Sequence, residues 1–324
     1  MNTTRLGMTD LQVFPIAFGT WQLGGEWGDF DEREAIAAIR HARELGINLF
    51  DTAQAYGFGV SERLLGRALG DDLNHRRDEV VIATKGGLRM TPDGLVRDSS
   101  REWLRSGVEQ SLRALGVEHI DLYQVHWPDP DTAFAETAGA LQELVDEGKI
   151  RHVGVSNYST CQMAAFARTR PVETLQPAYH LFRREMEADV APYVLEHDIG
   201  VLVYGPLAHG LLTGTMEEHT TFANDDWRAQ SPLFQGETFR RNLQTVRALD
   251  RFARQRGRTV SQLAIAWTLS HQAVDVAIVG ARRATHIEDS VGAVDFELSD
   301  DDLAEIDDIM AGAVTVAGPS PEGA

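Results

Sequence analysis

The sequence contains a single cysteine, Cys161, among 324 residues. One thiol can form neither an internal disulfide nor a thiolate metal cluster within the chain. No run of eighteen apolar residues occurs, which excludes a membrane-spanning helix. The opening "MNTTRLGMTDLQ" lacks a basic start, an apolar stretch and a small-residue cleavage site, so it reads as no secretory signal. These absences predict a cytoplasmic protein. Basic residues are also scarce, 30 Lys and Arg against 49 Asp and Glu, for a formal net charge of -19. Such a surface repels phosphate backbones and predicts no nucleic-acid partner. A small phosphorylated cofactor stays compatible, because local arginines override the global field within a Debye length.

Several catalytic signatures are missing as well. No GxGxxG follows an apolar run, and the glycines of "FGTWQLGGEWG" have the wrong spacing for that dinucleotide fingerprint. Neither HxH nor HExxH is present, so the acids and histidines are not paired at metal-ligand spacing. The absence of GxSxG weakens a serine nucleophile.

What is present is a repeated order of helix, glycine, apolar strand and polar turn. "FDEREAIAAIRHARELG" predicts a helix with Asp31 as N-cap, Glu34 completing a capping box and Gly46 as the stop. Similar starts are predicted at Ser99 with Glu102, Ser159 with Gln162 and Thr259 with Gln262, and Gly116 and Gly148 close two further helices. Between them lie eight apolar runs rich in Val and Ile: 13–20, 47–52, 80–85, 120–127, 152–157, 174–180, 200–206 and 276–281. Near-continuous hydrophobicity separated by helices indicates parallel strands covered on both sides. Eight such units predict a (β/α)8 TIM barrel, with a doubly wound sheet as the alternative. The expected layout is one barrel domain over 1–312 and a flexible tail over 313–324. An N-terminal β-hairpin is expected over 3–13. A long irregular loop is predicted at 213–236, and a loop of that length suggests a lid.

In such a barrel the chemistry gathers at the C-terminal ends of the strands. Those ends hold Thr20 and Trp21, Asp51, Lys85, His126, Ser156 and Asn157, Gln176, Tyr204, and Gly280 with Arg282 and Arg283. Taken singly, each has a plain reading: an Asp after a strand caps the next helix, and a Lys there is solvated. As a set at one mouth they point to acid–base work. A tyrosine titrates near pKa ~10, and a neighbouring ammonium favours its phenolate form. A buried lysine keeps its charge when a carboxylate holds it. An Asp51–Lys85–Tyr56 chain is therefore a coherent proton-transfer unit, with His126 placed to orient a substrate oxygen. These side chains move no electrons, so the reaction needs either a hydride donor or a purely acid–base substrate.

The chain resembles an aldo-keto reductase almost end to end, closest to the bacterial general-stress and inositol-cluster-like members. The resemblance rests on "GINLFDTAQAYGFGVSERLLG", "ATKGG", "IDLYQVHWPD", "GKIRHVGVSNYS", "VLVYGPLAHGLLTG" and "IVGARRATHIEDSV", in that order. It implies an NADPH-dependent oxidoreductase that reduces an aldehyde or ketone to an alcohol, with hydride from the nicotinamide and a proton from Tyr56. Asp51, Tyr56, Lys85 and His126 match the family's catalytic tetrad. Ser156, Asn157 and Gln176 match the holders of the nicotinamide carboxamide, and Tyr204 matches the aromatic stacked on its ring. Thr20 and Trp21 match the wall beside the cofactor, and Gly205, Pro206 and Leu207 the turn at the pyrophosphate. Gly280, Ala281, Arg282 and Arg283 match the adenosine-phosphate end, with the basic pair expected at a 2′-phosphate. His286 and Ser290 stand where many relatives have Gln and Asn, a departure at the adenine. Trp21, Trp127 and Phe58 are candidates for an apolar substrate wall. The implied partner is a small carbonyl substrate, and no metal is implied. The resemblance also allows a second function, a cofactor-binding redox sensor or regulatory subunit with little turnover.

Overall fold

The computed structural model describes residues 3–25, 30–223 and 226–315. Eight parallel strands close into a barrel: β1 (Ile16–Gly19), β2 (Leu49–Asp51), β3 (Val81–Gly86), β4 (Ile120–Val125), β5 (Ile150–Ser156), β6 (Thr174–Gln176), β7 (Gly200–Tyr204) and β8 (Val276–Gly280). Each falls within or against one of the eight apolar runs, and closure between β8 and β1 rules out the doubly wound sheet. The two faces of the strands fill two cores. Outward residues such as Phe18, Phe50, Ile82 and Val153 pack against the surrounding helices. Inward residues Ala17, Leu49, Val81, Ala83, Leu122, Leu202 and Val276 fill the barrel.

The predicted hairpin pairs Thr4–Arg5 with Gln12–Val13 and plugs the bottom of the barrel with Leu6 and Leu11. Its turn lies so close to β7 that a Cβ on Gly7 (φ 50°) would sit 2.0 Å from the Gly200 nitrogen, so only glycine fits. A second hairpin, Leu88–Thr91 with Gly94–Arg97, follows β3 and was not foreseen from the sequence. Its Thr91-Pro92-Asp93-Gly94 turn is a legible signal, since Pro presets φ and Gly accepts φ 121°.

Two helix starts differ from expectation. Asp31 caps the Glu32–Glu44 helix, its carboxylate accepting from the Arg33 and Glu34 N–H groups. Glu34 makes no return bond and instead accepts from Arg283 Nε at 3.2 Å, so the capping box is only half built. The Arg101–Leu115 helix is capped by Ser100 rather than Ser99, its hydroxyl accepting from the Trp103 N–H, while the Ser99 N–H donates to Asp129 Oδ2 at 2.8 Å instead of to Glu102. The boxes at Ser159/Gln162 and Thr259/Gln262 form as read. Within the expected 213–236 loop the described residues include short 3-10 turns at Trp227–Ala229 and Pro232–Phe234, and residues 224–225 lie outside the described residues. After the Asp300–Met310 helix, Val314 exchanges two backbone hydrogen bonds with the Asn242 side chain. The rest of the expected tail lies outside the described residues.

The bottom of the barrel carries a charge network that makes stability depend on pH. His152 donates between Glu173 Oε1 (2.7 Å) and Asp10 Oδ1 (2.8 Å). Burial lowers its pKa, but the two carboxylates outweigh burial and leave it raised above the ordinary value. The folded state thus holds a proton more tightly than the unfolded chain, whose histidine titrates near pH ~6.5. The stabilisation is complete below that pH and is lost as pH rises through the raised value. Urea midpoints measured between about pH 6 and 9 are expected to fall more steeply in the native chain than in His152→Asn. Equal slopes would remove His152 from the account.

Candidate active site

Barrel register gathers the site before any side chain is considered. Gly19 pairs with Asp51, Asp51 with Ala83, Lys85 with Gln124 and Gln176 with Ser156, which sets these strand ends on one rim. Within that rim Lys85 is completely buried. Its Nζ donates to Asp51 Oδ2 at 2.7 Å, the Thr52 carbonyl at 3.0 Å and the Tyr56 hydroxyl at 3.3 Å. The other Asp51 oxygen accepts from Gln176 Nε2 at 2.8 Å, so both carboxylate oxygens are engaged. The His126 ring meets the Tyr56 ring edge-on at 5.7 Å between centroids. The four residues expected to act together are adjacent, and all four are buried.

A second polar chain forms the neighbouring wall. Tyr204 donates to Asn157 Oδ1 at 2.9 Å, and Asn157 Nδ2 donates to the His126 carbonyl (3.2 Å) and Ser156 Oγ (3.0 Å). Ser156 Oγ in turn donates to the Gln176 carbonyl at 2.8 Å. Asn157 has φ 61°, a conformation asparagine tolerates better than most side chains.

A cavity of about 380 Å³ opens over this arrangement. Its lining includes Thr20, Trp21, Asp51, Tyr56, Gln176, Tyr204, Gly205, Pro206, Leu207, Gly280, Arg282 and His286. The remaining sequence candidates lie off its surface. Arg283 turns away to Glu34, and Ser290, buried, donates to the His286 carbonyl at 3.0 Å. Ala281 takes part through its carbonyl, which accepts from Gln22 Nε2. Of the proposed apolar wall, Trp21 lines the cavity, Trp127 is buried beneath the Arg97 guanidinium at 5.0 Å, and Phe58 is exposed.

The lining and bordering residues missed by the sequence reading include His209, Trp227 and Arg228. Trp227 stacks on Trp21, with centroids 6.2 Å apart and planes at 16°, and His209 meets Trp227 edge-on at 4.8 Å. Asp226 grips Arg228 through both oxygens and turns it towards the cavity, where its Nη1 donates to the His209 carbonyl. For Trp227 and Arg228 the sequence signal is a Trp-Arg pair inside a polar loop, and His209 lies within "VLVYGPLAHGLLTG". Burial and the Arg228 charge both lower the Arg282 pKa, with Asp226 opposing. Two guanidiniums thus face one end of the cavity, an arrangement that an anion between them relieves.

A closed parallel barrel thus carries a buried carboxylate–ammonium–phenol line beside a cavity with two guanidiniums at one end. The chain belongs to the aldo/keto reductase family, whose sequence profile matches residues 15–311. It is 42% identical to the aldo-keto reductase YhdN of Bacillus subtilis, over 97% of this chain and 95% of that one. It is 33% identical to an NADH-specific methylglyoxal reductase of Escherichia coli, over 93% of this chain and 96% of that one. The structure of a glycerol dehydrogenase from Gluconobacter oxydans superposes with a TM-score of 0.89 at 39% identity, over 98% of each chain.

Proposed function

We propose that this chain reduces an aldehyde or ketone to an alcohol with NADPH, Tyr56 delivering the proton. The observation that carries the reading is the placement of Lys85 Nζ between Asp51 and Tyr56 at the floor of the cavity. Asp51 holds the ammonium, the ammonium polarises the phenol, and the phenol gives its proton to the carbonyl oxygen. The His126 imidazole, edge-on to Tyr56, orients that oxygen. Burial of all four groups excludes water that would weaken these electrostatic effects.

The residues present fit a nicotinamide dinucleotide. Asn157, Ser156 and Gln176 supply amide and hydroxyl groups for a carboxamide, Tyr204 a flat aromatic face, and Gly205 a backbone open to close approach. When bound, the cofactor supplies the hydride that the side chains lack. Because relatives differ in cofactor, the phosphate end decides between NADPH and NADH. Arg282 and Arg228 together favour the extra phosphate of NADPH. Arg282→Ala is expected to weaken NADPH binding about tenfold to a hundredfold, the worth of a charge-assisted hydrogen bond, with little change for NADH. Fluorescence titration with both cofactors checks this, and equal weakening for the two would place Arg282 elsewhere than at the distinguishing phosphate.

A further inference from the structure

The loop carrying Tyr56 is strained, and two buried side chains outside the proton-transfer line hold its far end. Gly57, Phe58 and Gly59 take φ of 63°, 45° and 90° in succession. A left-handed phenylalanine is strained and persists only where its surroundings enforce it. The enforcement lies at the start of the Val60–Ala68 helix. The Tyr56 carbonyl accepts from the Ser61 N–H at 3.2 Å, so the Tyr56 backbone hangs from that helix. Ser61 Oγ donates to Thr20 Oγ1 at 2.7 Å and lies 3.0 Å from Thr52 Oγ1, tying the helix to the ends of β1 and β2.

Glu62 makes the third tie. Only 1% exposed, it accepts through Oε1 from Thr84 Oγ1 at 2.7 Å. Thr84 directly precedes Lys85 on β3. Burial pushes the Glu62 carboxyl up towards its neutral form, with the Ser111 and Thr84 hydroxyls opposing. Glu62 does not line the cavity, so ligand binding does not account for a carboxyl in this place. An apolar side chain would fill the volume without the desolvation cost of a buried acid.

We propose that Glu62 is a positioning residue: its bond to Thr84 clasps the helix bearing the Tyr56 loop onto the strand bearing Lys85, and so sets the distance between phenol and ammonium. This assignment rests on the reading of Tyr56 and Lys85 as catalytic. Displacement by about 1 Å can cost on the order of a hundredfold in rate without altering ligand binding. The clasp therefore acts on kcat and leaves KM and cofactor affinity alone.

The test compares Glu62→Leu, Glu62→Gln and Thr84→Val with the native chain in kcat, KM, NADPH affinity and melting temperature. Glu62→Leu is expected to lower kcat about tenfold to a hundredfold, with KM and NADPH affinity within about threefold of native. Glu62→Gln, whose amide oxygen still accepts from Thr84, is expected to recover most of that loss. If Glu62→Leu does not fold, the near-isosteric Thr84→Val carries the test, with a kcat loss in the same direction. The assignment is overturned if the folded variants keep native kcat, if only the melting temperature moves, or if Gln loses as much as Leu. Tyr56→Phe is assayed alongside: full turnover there breaks the catalytic reading itself. Full turnover in the Glu62 and Thr84 variants, beside an inactive Tyr56→Phe, breaks only the positioning assignment.

Discussion

Tyr56→Phe is expected to lower kcat for carbonyl reduction by about 10²- to 10⁴-fold, the usual worth of a positioned general acid. The substitution removes one oxygen and keeps the ring, which packs at 5.7 Å against His126 and 6.4 Å against Trp21. The cavity wall survives, so NADPH affinity is expected to stay within about threefold of native. Loss of kcat at constant affinity separates a proton donor from a group that merely shapes the pocket. The measurement is NADPH oxidation with a panel of aldehydes and ketones, paired with a binding titration. A native chain that binds NADPH and oxidises it with no carbonyl would favour a sensor. A Tyr56→Phe chain as fast as native would require another acid.

Lys85→Met is expected to remove turnover and also to destabilise the barrel. Lys85 is fully buried, and its ammonium is 2.7 Å from Asp51, which is itself 3% exposed. Removing one partner of a buried pair leaves the other charge uncompensated, at a cost of about 3–5 kcal/mol. Asp51 retains only the Gln176 amide on its other oxygen, a neutral donor that cannot replace a cation. The double variant Asp51→Asn/Lys85→Met buries no charge at this point and is expected to regain much of the lost stability. It should regain none of the turnover, since nothing then polarises Tyr56. Denaturant unfolding of the four chains closes the cycle. Additive losses would show that the two groups do not stabilise each other, whatever their separation.

The barrel was legible because its strands are buried on both faces, and dual burial writes itself as uninterrupted Val and Ile. Asp51, Lys85, His126 and Gln176 were legible for a related reason: each interrupts an apolar run at the end where a parallel barrel opens. Local hydrogen bonding was read less well where a distant group competed for it. Asp129 took the Ser99 N–H that Glu102 was expected to hold, and Arg283 took Glu34 from its capping box. The same competition divided the basic pair, leaving Arg282 at the cavity and Arg283 on a neighbouring helix.

The sequence by itself determined the eightfold strand order and the mouth at which Asp51, Tyr56, Lys85 and His126 collect. Only the tertiary structure decided that Trp227 stacks on Trp21, that Arg228 reaches the cavity beside Arg282, and that Glu62 grips Thr84. Periodicity encodes which face of an element is buried, and spacing encodes bonds between near neighbours. Neither encodes where a long loop or a buried acid meets the rest of the chain, because barrel closure sets that meeting between residues distant in sequence.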